Sequence, residues 1–146
     1  VLDGYRFQYP IEVRFADLDA LRHVNNAVFL SYLESARIAF WLQVTRRSGL
    51  DALDMILART EIDYRSPVFF GESLVVGIRC ASLKRSSFVL AFRIEERQAG
   101  RLVAEANKTL VYYDFKAATA LPLTPEIRAQ LKAQDPEVIE VEASRG

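Results

Sequence analysis

Cysteine and histidine are nearly absent: the 146 residues hold one of each, Cys80 and His23. A lone cysteine forms no internal disulfide, and one thiol with one imidazole falls short of the usual zinc ligand set. Neither sign of charge is in excess, with 19 Lys and Arg against 19 Asp and Glu. That balance argues against a nucleic-acid binder and against a polybasic membrane protein. No uncharged apolar run reaches the ~18 residues of a membrane span, so no spanning helix is expected. The opening VLDGYRFQYP lacks the basic and apolar blocks of a signal peptide. A cytoplasmic location is therefore the expectation, and a first residue other than Met leaves an upstream start open. There is no internal repeat, linker or low-complexity stretch.

Apolar and aromatic residues make up 51% of the chain, enough for a sizeable core. A chain of this length buries roughly two-thirds of its unfolded surface in one domain. Residues 11–16, IEVRFA, alternate Glu12 and Arg14 with Ile11, Val13 and Phe15, which predicts a half-buried strand. A polar loop from Asp17 to Asn26 follows. Residues 27–47, AVFLSYLESARIAFWLQVTRR, hold good helix formers and no Gly or Pro. Ser31, Glu34, Ser35, Arg37, Gln43 and Thr45 are its few polar residues. The rest of the circumference is apolar, as in a helix enclosed by other structure. Gly49 marks a stop behind the basic pair Arg46 and Arg47.

The second half changes period. MILARTEIDYR, SLVVGIRCASL, SFVLAFRIEER and RLVAEANKTLVYYDF read as strands joined by the short turns FFGES, KRSS and QAG. Phe88, Leu90, Phe92 and Ile94 share one face, and the small Ala104 and Ala106 leave room for something bulky. LPLTPEIRAQLKA predicts a short helix with Thr124 as N-cap and Pro125 in its first turn. The stretch from Asp135 to residue 146 is charged and unpatterned, and is left unassigned. Segregated β elements around one long apolar helix give an α+β class with about five antiparallel strands. Such a sheet has free edges, which commonly need a partner.

ADLDALRHVNNAVFLSYLESAR, residues 16–37, resembles the signature of the 4-hydroxybenzoyl-CoA thioesterase-like family of hotdog-fold proteins. EIDYRSPVFFGESL is similar to that family's second strand and turn, a Tyr-x-x-Pro segment followed by Gly and an acid. KRSSF, then ANKTLVYYD and LP, come in the family's order. The resemblance covers about residues 8–132 of a single 1–146 domain. It implies a curved antiparallel sheet wrapped around one central helix. It also implies subunits paired into a continuous sheet, as a homodimer or homotetramer. The implied activity is hydrolysis of an acyl thioester of coenzyme A, with no metal and no cofactor beyond the coenzyme A of the substrate.

A thioester hydrolase needs a group for the attack, donors for the developing oxyanion and room for the acyl carrier. Matched to the family motif, Asp19, the second acid of Asp-x-Asp, is the catalytic carboxylate, either as nucleophile or as general base. Asp17 is supporting, as a loop brace or as partner to His23 or an arginine. The match gives Asn26 the polarising backbone N–H at the electropositive helix start. Asn25 is a candidate N-cap and a substrate contact. His23 orients Asp19, donates to the leaving thiolate or bonds the loop; a plant-type branch of the family uses this His and Asn. Arg22 stands at the pocket mouth where many relatives carry Gly, a residue that reaches positive φ far more readily. By analogy Arg65 contacts substrate, and Lys84, Arg85 and Ser86 meet coenzyme A phosphates, although turn bases read equally well as solvated. Glu34 is a reserve carboxylate, because another hotdog branch uses a helix acid; at i, i+3 from Arg37 it also reads as an ion pair. Cys80, Phe29, Tyr32 and Trp41 read as core. The competing functions are a non-catalytic acyl-CoA-binding module, a thioesterase for acyl carrier protein thioesters and, last, a hotdog dehydratase.

Overall fold

The change from helical to two-residue periodicity divides the architecture. The computed structural model describes residues 2–141. Its elements run β1 (Phe7–Glu12), α1 (Val28–Thr45), β2 (Met55–Tyr64), β3 (Ser73–Leu83), β4 (Ser87–Glu96), β5 (Leu102–Asp114), β6 (Thr119–Ala120), α2 (Pro125–Gln134) and β7 (Ile139–Glu140). The main sheet has the order β1-β3-β4-β5-β2, antiparallel throughout, so β1 and β2 are its two outer strands. β6 extends β5, and β7 lies parallel to the end of β3 at Ser82 and Leu83.

One face of each strand turns toward α1. Phe88, Leu90, Phe92 and Ile94 of β4 are all buried, and they pair with Leu110, Lys108, Ala106 and Ala104 of β5. Leu74, Val76, Ile78 and Cys80 of β3 continue that layer. Phe29, Leu33, Ala36 and Phe40, spaced i, i+3, i+4 along α1, close the core from above. Phe7 meets Phe40 edge-on, and Trp41 stacks on Phe88 while its Nε1 donates to the Ala52 carbonyl at 2.8 Å. At the start of α2, the Thr124 hydroxyl accepts from the Ile127 N–H, with Pro125 in the first turn as the sequence indicates.

Four expectations need correction. The first strand begins at Phe7 and ends at Glu12, so Phe15 does not continue an inward face: it sits in the 3-10 turn Phe15–Asp17 and is 78% exposed. α1 stops earlier than Gly49, because Arg46 adopts a left-handed conformation (φ 56°) and its N–H turns back to Gln43 and Leu42. The helix is not enclosed on all sides, since Leu30, Ser31, Glu34 and Ser35 are exposed. The sheet covers only the opposite face. Finally, the stretch after Asp135 is docked rather than unpatterned. Asp135 Oδ2 accepts from the Cys80 N–H at 2.8 Å and the Val141 N–H donates to the Leu83 carbonyl at 2.8 Å. Residues 142–146 of that tail lie outside the described residues.

Candidate active site

The polar loop between β1 and α1 is tied by its two acids in different ways. Asp17 is the buried one, with a side chain 1% exposed. Its Oδ2 accepts from the Arg14 N–H at 2.9 Å and from the Tyr32 hydroxyl at 2.6 Å, while the Arg14 guanidinium reaches Oδ1 at 2.8 Å. Burial opposes ionisation of Asp17, but the donors from Tyr32 and Arg14 outweigh it and hold its carboxyl below the usual carboxylate range. The same bond, after burial, pushes the Tyr32 hydroxyl pKa up. Of the partners the sequence left open for Asp17, the structure places an arginine there, Arg14, and adds Tyr32. The Asp17 carbonyl also accepts from the Asn25 N–H, at 3.0 Å, which fastens the far end of the loop.

Asp19 opens a tight turn. Its Oδ1 accepts from the Leu21 N–H at 2.9 Å and its carbonyl from the Arg22 N–H at 3.0 Å; its own N–H donates to the His23 carbonyl at 3.0 Å. Closing this turn puts Arg22 at φ 68°, the left-handed conformation that the sequence flags as awkward for a non-glycine. Holding a side chain there costs about 1–2 kcal/mol. The turn brings Asp19 Oδ2 to 3.8 Å from His23 Nδ1, with both side chains about a third exposed or less. His23 and Val24 then bond across to Phe69 and Val68, between β2 and β3, which locks the turn against the sheet.

The helix start lies beside it. Asn25 Oδ1 accepts from the Ala27 N–H at 2.9 Å, and the Asn25 carbonyl accepts from the Val28 N–H at 2.9 Å. The N-cap of α1 is Ala27, with no side-chain cap, so Asn25 is not the N-cap the sequence indicates; it caps the turn two residues earlier. Among the described residues the Asn26 N–H meets no acceptor, while the Asn26 carbonyl accepts from the Tyr64 hydroxyl at 2.9 Å. A cleft of ≈ 240 Å³ opens here between the loop, α1 and the end of β2. His23, Asn26, Phe29, Tyr64 and Arg65 are among the residues that line it. Asp19 stands behind His23 rather than on the wall.

The remaining sequence candidates fall elsewhere. Arg65 is at the cleft rim, paired with Glu105 at 3.3 Å and Asp63 at 3.8 Å. Lys84, Arg85 and Ser86 form the β3–β4 turn, at the far end of the 11-residue strand β3. At ~3.3 Å per residue this is about 33 Å from the cleft end of that strand. Within one chain they do not join Asp19. Glu34 lies two turns along α1, on its exposed side, 3.7 Å from Arg37. Cys80 is buried, and burial pushes its thiol up to about 12, far from a reactive thiolate. A larger cleft of ≈ 670 Å³ lies on the outer side of β3 near Cys80 and Asp135, remote from the loop. Among the described residues no three His, Cys, Asp or Glu side chains are grouped to hold a metal ion.

Arg14, Tyr32 and Tyr64 escaped the sequence reading as site residues. Tyr32 is the fourth residue beyond Val28 and shares the inward face with Phe29, which made it look like core alone. The Arg14–Asp17 spacing of three was the available signal.

Comparison with known proteins converges on one family. Residues 13–131 match the model of the thioesterase-like superfamily. The long-chain acyl-CoA thioesterase FadM of Escherichia coli is 31% identical over 130 residues, covering 86% of this chain and 96% of FadM. A Thermus thermophilus thioesterase, solved with coenzyme A and zinc, superposes with a TM-score of 0.81 at 35% identity, over 92% of this chain and 98% of that one. A 1,4-dihydroxy-2-naphthoyl-CoA thioesterase from Synechocystis shares the fold, with a TM-score of 0.78 at 22% identity over 88% of this chain and 97% of that one. With its curled antiparallel sheet, its long helix and its match over most of its length, the chain belongs to the thioesterase-like superfamily of hotdog-fold proteins.

Proposed function

We propose that the chain hydrolyses acyl-coenzyme A thioesters, long-chain ones foremost, at the cleft between the Asp19 turn and the start of α1. The observation that carries this reading is that the His23 imidazole and Asn26 line this cleft, with the Asp19 carboxylate 3.8 Å from that imidazole on its far side. The likeness to FadM supports the acyl class.

Each group has a task. The thioester carbonyl lies against the start of α1, where the Asn26 N–H and the positive end of the helix stabilise the charge that grows on oxygen. Asp19 supplies the attack by one of two balanced routes. Its carboxylate adds to the carbonyl carbon, the thiolate leaves and the acyl group stays on Asp19 as a mixed anhydride that water then cleaves, or it takes a proton from the water that adds to the carbonyl as the thiolate leaves. Either way the carbon–sulfur bond breaks and the coenzyme A sulfur ends as a thiol. His23, 3.8 Å from Asp19, aims the carboxylate and faces the leaving sulfur. Asp17 stays ionised and holds the loop through Arg14 and Tyr32.

The exposed outer strand β2 pairs with its counterpart in a second copy, which extends the sheet and walls the open side of α1. The protein works in the cytoplasm as this oligomer. Thiol release from aromatic, short-, medium- and long-chain acyl-CoAs, and from acyl carrier protein thioesters, tests the activity. Turnover of long-chain acyl-CoA is the expected result. Release from none of the coenzyme A thioesters overturns it.

A further inference from the structure

The inner face of the sheet carries one cation that hydrolysis does not use. Lys108, in the middle of β5, is 3% exposed. It occupies the inward row with Ala104, Ala106 and Leu110, and its Nζ lies 5.9 Å from the Phe92 ring. Among the described residues no carboxylate comes within ion-pair distance of it. A second cation faces it from α1. The Arg37 side chain is 12% exposed; among the described residues its buried Nε has no hydrogen-bond partner and its only acid is Glu34 at 3.7 Å. Glu34 is itself 60% exposed. Among the described residues the two cations thus have one solvated carboxylate, paired with Arg37 alone, and Lys108 is left without a counter-ion. Burial, and then Arg37 itself, presses the Lys108 pKa down. Buried charges of this kind are held where an anion meets them.

The cluster lies on the same face of the sheet as the end of β2 that borders the cleft. Tyr64, whose hydroxyl bonds the Asn26 carbonyl, pairs with Ala104; Ile62 pairs with Ala106 and Thr60 with Lys108. From Ala104 to Lys108 is about 13 Å along the strand at ~3.3 Å per residue. From Asn26 to Arg37 is about 16 Å along α1 at ~1.5 Å per residue. Between the cleft and the cations the same inward rows hold Ala106 of β5 with Ile62 and Thr60 of β2, and Ile62 packs against the core. These spans match an extended acyl chain of about twelve carbons, which would place its far end at the two cations.

Resting on the proposed thioesterase reading, we infer that Lys108 and Arg37 form an anion subsite for the far end of the acyl chain. The acyl group it selects carries a terminal carboxylate. One carboxylate neutralises the surplus charge and supplies the acceptor that Arg37 Nε lacks.

The test compares dodecanedioyl-CoA with dodecanoyl-CoA as substrates, and the free acids dodecanedioate and dodecanoate as ligands in thermal melts. The wild type should favour the dicarboxylyl thioester in kcat/KM by about tenfold or more, as a charge-assisted contact predicts. Dodecanedioate should raise Tm more than dodecanoate does. In Lys108→Met, and in Arg37→Gln, the preference ratio should fall by about tenfold. The melts read the subsite even if neither thioester is cleaved, so a failed hydrolysis assay and a failed subsite give different results. Equal or reversed preference in the wild type by both measures overturns the proposal, as does a ratio unchanged in both variants. A dimer that dissociates on Glu34→Gln, with no preference for the diacid, assigns the cations to a second copy and also overturns it.

Discussion

Asp17 and Asp19 are two positions apart and do opposite work. Asp17 is sunk beneath the loop with donors on both oxygens, while Asp19 stands at a turn beside His23. Replacing Asp17 with Asn should remove the ion pair with Arg14 and cost about 1–3 kcal/mol of stability, read from urea unfolding at neutral pH. The pH dependence has a definite sign. The folded-state pKa of Asp17 is depressed below its unfolded value of about 3.9. Its contribution is therefore complete above that value and is lost as pH falls through the lower, folded value. The acid limb of the wild-type stability curve should steepen there, and that of Asp17→Asn should be flatter. An equal slope in the two proteins would show that the brace contributes nothing. An arginine was one of the partners that the sequence left open for Asp17, beside His23; which arginine was not legible. Arg14 alternated with apolar neighbours and looked like the outward face of a strand that in fact ends at Glu12.

The elements show why strands were easier to read than their surroundings. β2, β3, β4 and β5 begin and end within a residue of where the alternation and the short turns put them, since each buries one face and a one-residue slip would expose it. The inward row of β4 was likewise plain. The open side of α1 was hidden because an apolar circumference does not say which neighbour covers it, and a single sheet covers only one side. The docking of the tail depends on contacts more than 50 residues apart, such as Asp135 with Cys80, which no local pattern encodes. The N-terminal segment is a similar case. It crosses the outer face of β3, where Leu2 is buried and the Tyr5 ring lies over Gly77. A Cβ at position 77 would come within 2.7 Å of Tyr5 and 2.8 Å of Leu2. Gly77→Ala should therefore lift this segment, lower stability by about 1–3 kcal/mol and speed proteolysis before Phe7. Unchanged melting and unchanged cleavage would mean the segment yields without cost.

At the scale of the molecule, the cleft borders the outer strand β2 of the sheet. β2 leaves Ile56 40% and Leu57 45% exposed, and an unpaired strand with apolar residues is a template for another strand. The double variant Ile56→Asp, Leu57→Lys should halve the mass found by light scattering at a concentration where the wild type is dimeric. A mass unchanged by these charges would place the interface elsewhere. The basic β3–β4 turn, about 33 Å from the cleft within its own chain, can serve a coenzyme A site only if a second copy brings it near. The candidate residues were legible because they are local: acid, imidazole and helix start fall within ten residues, and the turn brings Asp19 and His23 to 3.8 Å while leaving Asp19 off the cleft wall. The most direct measurement is the rate of thiol release from a long-chain acyl-CoA by the wild type, Asp19→Asn and Asp17→Asn, with unfolding curves for all three. Asp19→Asn should lose about 10²–10⁴-fold in kcat while melting like the wild type, and Asp17→Asn should lose stability first. Activity within a few-fold of wild type in a folded Asp19→Asn protein would contradict hydrolysis at this turn.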